Sequence, residues 1–181
     1  MLTITIPESE FFDDRTQQFI KVKGQTITLE HSLISLSKWE SKWKKPFLSK
    51  SKKTGEEIID YIRCMTITQN VDPKVYLALT KENIEQITKY IEDPMSAKTF
   101  YNDPLAKNKR SETITNELIY YWMVTFNIPF ECEKWHLNRL IALVKTCSEH
   151  NAPPKKLSKR EMFERNKRIN EANKKRFGTR G

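Results

Sequence analysis

Residues 113–150 read TITNELIYYWMVTFNIPFECEKWHLNRLIALVKTCSEH, and they hold the longest apolar run of the chain, Leu118–Phe126. The spacing predicts an apolar helix over Thr113–Phe126 and a second helix that begins at Pro129 and runs to about His150. Because only about three residues separate the two, we expect an antiparallel helical hairpin at the centre of the core.

Three further helices are predicted before this pair, each from apolar residues at helical spacing. The first covers Ser32–Lys44 and ends before Pro46, which cannot continue a helix. The second begins at Thr54, where a glutamate three positions later completes a capping-box pattern. The third begins at Thr80, a second threonine at an N-cap position.

The N-terminal residues show the two-residue alternation of β-strands. Leu2–Ile6 alternates up to Pro7, and Phe19–Leu29 alternates around Lys23-Gly24, which predicts a hairpin turn at those two residues. A sheet this small must pack on helices to be stable. The expected fold is therefore α+β and mostly α, with a small N-terminal β-hairpin or sheet packed on a bundle of about five helices in residues 1–150.

A two-proline linker is predicted to separate this body from a C-terminal arm. The linker covers residues 151–154, because Pro153 and Pro154 cannot continue a helix. The arm, residues 155–181, has a capping-box pattern at Ser158 and helix-forming residues up to Arg176. Gly178 is placed to end that helix.

The positive charge of the chain is concentrated in the arm. Of the net +9, residues 155–181 contribute +8, from eleven Lys or Arg and three Glu, and residues 1–154 contribute only +1. Positive charge therefore favours binding of nucleic acid or of an acidic partner by the arm, and gives no such indication for the body.

Composition excludes several classes of protein. With four glycines in 181 residues, at positions 24, 55, 178 and 181, neither a dinucleotide-binding fingerprint nor a P-loop can be written. The longest apolar run is shorter than the roughly 20 residues of a spanning helix, and no signal-peptide pattern begins the chain. Three widely spaced cysteines are typical of a reducing compartment, so we expect a cytoplasmic product.

Two clusters contain residue types that can form chemical sites. Cys132, His136, Cys147 and His150 resemble zinc ligands in type, but positions 136 and 147 of one continuous helix lie roughly 16 Å apart and cannot share an ion. The carboxylates around Glu56 lie in the first turn of a helix, where the helix dipole favours them. We therefore predict no metal site, no cofactor and no catalytic residue, and expect a protein that is not an enzyme.

Two segments combine basic and hydrophobic residues. Lys38–Lys53 has seven lysines interleaved with Trp39, Trp43 and Phe47, a composition typical of single-strand nucleic-acid surfaces. The tryptophans share a helical face, however, which favours a core position for them and a solvated one for the lysines. The arm combines a narrow apolar and asparagine stripe with basic residues on most other sides.

We predict that the arm is the partner-binding element, since a capped helix with a stripe is more than a solubilising tail needs. Its predicted contacts are apolar residues that dock and basic residues that supply charge: Lys159, Arg160, Met162, Arg165, Lys167, Arg168, Ile169, Lys174, Lys175, Arg176 and Phe177.

Several stretches resemble a protein family encoded among the tail genes of tailed bacteriophages. They are QTITLEHSL (25–33), SKWESKW (37–43), DYIRCMTITQN (60–70), IPFECEKWHLNRL (128–140) and KKLSKRE (155–161). Members of the family are commonly labelled tail assembly chaperone or virion structural protein. The resemblance covers almost the whole chain and brings no catalytic motif with it.

This resemblance implies a non-enzymatic tail morphogenesis factor that binds the tape-measure protein, the tail-tube protein or both in the host cytoplasm. Self-association is a further expectation. The alternative is a virion structural or packaging component whose basic arm contacts DNA or an acidic neighbouring subunit. The N-terminal sheet is not needed by a purely helical chaperone, so the virion alternative stays open.

Overall fold

The computed structural model describes residues 1–13, 17–98, 113–151 and 159–178. The chain divides into two units, Met1–Ser148 and Glu149–Gly181, which are described in turn. The predicted α+β, mostly helical class is confirmed. The described elements are strands β1 (Leu2–Ile6), β2 (Ser9–Asp13), β3 (Gln18–Val22) and β4 (Gln25–Leu29), helices α1 (Leu33–Trp43), α2 (Gly55–Met65), α3 (Lys81–Glu92), α4 (Asn116–Thr125), α5 (Leu137–Asn151) and α6 (Lys159–Phe177), and the 3-10 helices Pro73–Ala78 and Phe130–Lys134.

The four strands form one antiparallel ribbon with a break in the middle. β1 pairs with β4 and β2 pairs with β3, in the same register on both sides of the break. The hairpin turn predicted at Lys23-Gly24 is therefore wrong, because these residues lie opposite Pro7 and Glu8 within the ribbon. Pro7 has no N–H for the ladder, and a Cβ on Gly24 would lie 3.0 Å from the Glu8 nitrogen. Glycine is needed here because the backbone of the opposite strand lies too close for a side chain, and not because the chain turns.

The inner face of the ribbon packs on the first of two apolar clusters. Alternate residues of β1 and β4 are buried, as the two-residue period requires. They contact Trp39 of α1 together with side chains from α2, the 3-10 helix Pro73–Ala78 and α3. The buried members include Ile4, Ile6, Val22, Ile27, Leu29, Trp39, Tyr61, Ile62, Met65, Val75 and Ile87.

The second apolar cluster contains the residues that the sequence placed at the centre of the core. It brings Leu33 and Leu36 of α1 together with α4 and α5, so α1 contributes to both clusters. Its other fully buried members are Ile119, Met123, Leu137 and Leu140.

The single helix predicted from Pro129 to His150 is wrong at its start. A 3-10 helix covers Phe130–Lys134, and α5 begins only at Leu137. Between them, His136 forms a β-bridge with Ser32, and the Leu137 N–H donates to the His31 carbonyl at 2.7 Å. Because the Leu137 N–H donates to His31, it cannot also bond the carbonyl four residues earlier, and α5 begins here.

Side-chain caps fix where the helices begin. The predicted caps at Thr54 and Thr80 are confirmed, and Thr54 forms a full capping box with Glu57. α4 is capped from another helix. The buried carboxylate of Glu40 in α1 accepts the Asn116 N–H at 2.8 Å and, through its other oxygen, the Phe47 N–H at 2.7 Å. This carboxylate ties the start of α4 to α1 and to the segment that follows it.

Two buried histidines pack against each other, His31 in the segment before α1 and His136 in the segment before α5. The rings of His31 and His136 meet edge to face, with centroids 5.0 Å apart. His31 Nδ1 lies 2.6 Å from the Tyr61 hydroxyl, and His136 Nε2 lies 3.0 Å from the Tyr90 carbonyl oxygen. Burial, with His136 close by, lowers the pKa of His31 to about 3. Burial also lowers the pKa of His136, although its bond to the Tyr90 carbonyl opposes the shift. Both rings are therefore neutral at physiological pH.

Candidate functional site

The arm is built on α6, which is rich in the straight-chain residues that favour helix. Its sequence, KREMFERNKRINEANKKRF, alternates basic residues with uncharged ones and contains only three acidic side chains. Gly178 follows with a φ of 61°, the left-handed conformation that commonly ends a helix. The predicted helical arm and the predicted stop are both present.

One side of α6 is uncharged and exposed. At about 100° per residue, Met162, Phe163 and Ile169 share this side with three asparagines. The three apolar side chains are 51%, 71% and 46% exposed, which is unusual for residues of this size. We call this side the arm face; its described members are Met162, Phe163, Asn166, Ile169, Asn170 and Asn173, all exposed.

Basic side chains border the arm face on both sides. Lys167 follows Phe163 around the helix, and Arg165 precedes Ile169, while Glu164 and Glu171 lie on the opposite side. The side chains of α6 that the structure describes are those of residues 160 and 162–174. Among them, one ion pair joins Arg160 Nε to Glu164 Oε1 at 3.5 Å. A partner that approaches the arm face therefore meets apolar and amide groups between two basic borders.

The structure brings most of the predicted contact residues onto this one exposed helix. Those whose side chains are described are Arg160, Met162, Arg165, Lys167, Arg168, Ile169 and Lys174. The other predicted contacts also lie in α6, but the structure describes only their backbone. They are Lys159, Lys175, Arg176 and Phe177.

The predicted linker is corrected at its first residue. Asn151 is the last residue of α5 and not part of a linker. Residues 152–154 and the capping serine at position 158 lie outside the described residues. Sequence reasoning also missed Phe163 and Asn170, which are seven residues apart on the arm face. The predicted stripe used only i, i+4 and i+7 steps, which mark a narrower strip than the full width of a helix face. Positions at the full width of the face would have included both residues.

In the Lys38–Lys53 segment Trp39 is a core residue, as the helical spacing favoured, while Trp43 and Phe47 are half-buried against the first cluster. Trp39 is 1% exposed and donates from Nε1 to the Glu57 carbonyl at 2.8 Å. Lys45 Nζ bonds Glu57 Oε1 at 2.7 Å, and Lys42 bonds Asp60. Two carboxylates of α2 thus pair with lysines of this segment, and the buried ring of Trp39 cannot stack with bases.

The pKa values of these carboxyls agree with a structural role. The bond from Lys45, with one from the Thr54 backbone, lowers the pKa of Glu57. Burial raises the pKa of Asp60, but the hydrogen bonds from Lys42 and Trp43 outweigh it and leave a net lowering. Both groups are ionised at neutral pH and bound to neighbours, so neither is poised to exchange protons with a substrate.

The four residues that resemble zinc ligands lie on different elements and have different surroundings. Cys132 is buried in the 3-10 helix, where burial raises the pKa of its thiol, and the other three lie at or beyond the break before α5. His136 uses both ring nitrogens, since Nδ1 accepts from the Asn138 N–H at 3.3 Å and Nε2 bonds the Tyr90 carbonyl. Within residues 1–13, 17–98, 113–151 and 159–178, no group of three or more His, Cys, Asp or Glu is placed to hold a metal ion.

Comparisons with protein-family models, curated proteins and solved structures found no match to this chain. Among the helices of the described residues, none combines the length and the apolar character needed to cross a membrane.

Proposed function

We propose that this protein is a non-enzymatic factor in bacteriophage tail morphogenesis that binds the tape-measure protein, the tail-tube protein or both through its arm. The observation that carries the proposal is the arm face, where Met162, Phe163 and Ile169 are exposed on a helix with basic borders. The choice of tail partners comes from the segments that resemble tail-gene proteins.

Burial of the arm face supplies the binding energy. Each large apolar side chain that passes from water into a groove contributes about 1.5–3 kcal/mol before the cost of ordering is subtracted. The matching surface is an apolar groove that accepts one face of a helix, as in other helix-in-groove complexes. Acidic residues along the edges of that groove would meet Arg165 on one side of the helix and Lys167 on the other.

Co-expression with the tape-measure protein tests the proposal. We expect the wild-type chain to raise the soluble fraction of that protein, and a Phe163→Asn, Ile169→Asn variant to lose most of the effect. The matched control is Glu82→Asn with Lys89→Asn, two exposed sites on α3 that leave the net charge unchanged. If the soluble fraction of the tape-measure protein is the same with and without this chain, the proposal is wrong.

A second candidate function is that of a virion or packaging component whose arm contacts DNA. Five basic side chains of the arm are described, all are exposed, and of these only Arg160 is in an ion pair in the described part of the arm. Neutralising several phosphates makes affinity fall steeply with salt. Duplex binding should therefore be measurable at low salt and fall by about tenfold or more by moderate salt. No binding at low salt, or binding without salt dependence, excludes this candidate.

A further inference from the structure

The body has an exposed apolar surface on α4 and the 3-10 helix that follows it. Tyr121, Val124 and Phe130 are 63%, 61% and 56% exposed. Tyr120 connects the two elements, because its ring lies 6.3 Å from that of Phe130 and its hydroxyl donates to Glu133 at 2.8 Å. Large apolar side chains clustered on a surface mark sites of protein association.

Acidic residues accompany this surface. Residues 113–133 contain three glutamates and no Lys, Arg or His, in a chain with 32 Lys and Arg. Glu117 and Glu131 are exposed; Glu117 lies one helical turn before Tyr121 in α4, and Glu131 follows Phe130 in the chain. Hydrogen bonds from its own backbone N–H and from Thr115 lower the pKa of Glu117, so this carboxyl is ionised at neutral pH. We call the set Glu117, Tyr121, Val124, Phe130 and Glu131 the α4 face.

The α4 face and the arm face are complementary in chemistry. The first is apolar with acidic residues beside it, and the second is apolar with basic borders at Arg165 and Lys167. We propose that the α4 face is a docking surface for the arm of a second copy of this chain. Contact would remove Phe163 and Tyr121 from water while it places opposite charges together at the edge.

Such a contact joins two different surfaces, so it is heterologous. Two copies that exchange arms form a closed dimer, and copies whose arms each dock on the next copy form rings or open chains. One arm face cannot hold a second copy and a tail partner at once. Self-association and partner binding therefore compete for the same residues, and each has its own readout.

Charge exchange in the full-length protein tests the proposal by sedimentation velocity at low salt. Wild-type protein should self-associate with rising concentration. Glu117→Lys with Glu131→Lys, and separately Arg165→Glu with Lys167→Glu, should each weaken association by about tenfold or more. A mixture of the two variants should associate again, because each acidic arm then meets a basic α4 face and each basic arm meets an acidic one.

Two further variants serve as a check and a control. Tyr121→Ser with Val124→Ser removes the apolar part of the α4 face without any charge change and should also reduce association. Glu82→Lys with Glu92→Lys makes the same charge change at exposed sites on α3 and should leave association intact. Wild-type protein that stays monomeric, or a mixture of reversed variants that does not associate, overturns the proposal. Neither result bears on the solubility of the tape-measure protein, so the proposed function stands or falls separately.

Discussion

Lys38–Lys53 and α6 have similar compositions but differ in whether their large hydrophobic side chains are buried. Both combine many basic residues with large hydrophobic ones. In the first, Trp39 is buried, and Phe47 stacks on Tyr61 with ring centroids 3.8 Å apart. In α6, Phe163 is 71% exposed. Composition alone would have assigned the same function to both segments.

The difference lies in what the rest of the fold supplies. α2 packs against α1 and brings two carboxylates, Glu57 and Asp60, to the lysines of the first segment. The apolar residues of that segment are numerous enough to pay for ordering by burial in the core. The arm face has three large apolar side chains among asparagines, and all of them are exposed. A combination of basic and large hydrophobic residues thus does not by itself decide whether a segment is buried.

Removal of the largest ring in each segment gives the sharpest contrast. Trp39→Ala should reduce the free energy of unfolding by about 3–5 kcal/mol, because it empties a fully buried site and deletes the bond to the Glu57 carbonyl. Phe163→Ala should change it by less than ~0.5 kcal/mol. Guanidinium unfolding of both variants measures the difference, and similar losses would show that the segments are packed alike.

Sequence reasoning was most accurate where local chemistry decides structure. The caps at Thr54 and Thr80 could be predicted because the bonds that fix them span three residues. The ribbon register could not, since Gly24 is required by contact with Glu8, which is far away in sequence. The break before α5 likewise depends on a bridge between His136 and Ser32, which no local pattern records. The burial of Trp39 was predictable from its spacing, whereas the exposure of Phe163 was missed.

Acidification from pH 7 to pH 5 should protonate histidines of the body and none of α6, because all three histidines of the chain lie outside α6. The pKa of His31 is about 3 in the folded protein, against an unfolded value near 6.5. Between these values the unfolded state binds the proton and the folded state does not. Stability is therefore complete above about pH 6.5 and falls as pH decreases, by up to about 1.4 kcal/mol per pH unit for such a group.

Unfolding measured from pH 7 to pH 5 should show a loss of about 2 kcal/mol or more. His31→Gln should reduce the slope, while the lowered pKa of His136 leaves part of it in place. His150, which is exposed, offers the matched control, and His150→Gln should keep the wild-type slope. A His31→Gln protein with the full slope would show that the buried pair does not control acid stability.

The ion pair of Lys42 with Asp60 tests how strongly the body holds its lysines. Asp60 is 10% exposed and accepts hydrogen bonds from both Lys42 and Trp43. Asp60→Asn weakens both bonds and should cost about 1–2 kcal/mol. The exposed Glu56→Gln on the same helix should cost less than ~0.5 kcal/mol in thermal or chemical unfolding. Equal costs would mean that Asp60 is no better held than a surface carboxylate.

The corresponding pair in the arm should contribute least. Arg160 and Glu164 are 3.5 Å apart, with side chains 89% and 53% exposed, so water and salt screen their attraction. Glu164→Gln should change the free energy of unfolding by less than ~0.5 kcal/mol and lower the helicity of α6 only slightly in circular dichroism. A loss above ~1 kcal/mol would exceed what exposed pairs contribute. It would mean that α6 holds its charges as the body holds Lys42, and that its basic residues are not available to a partner.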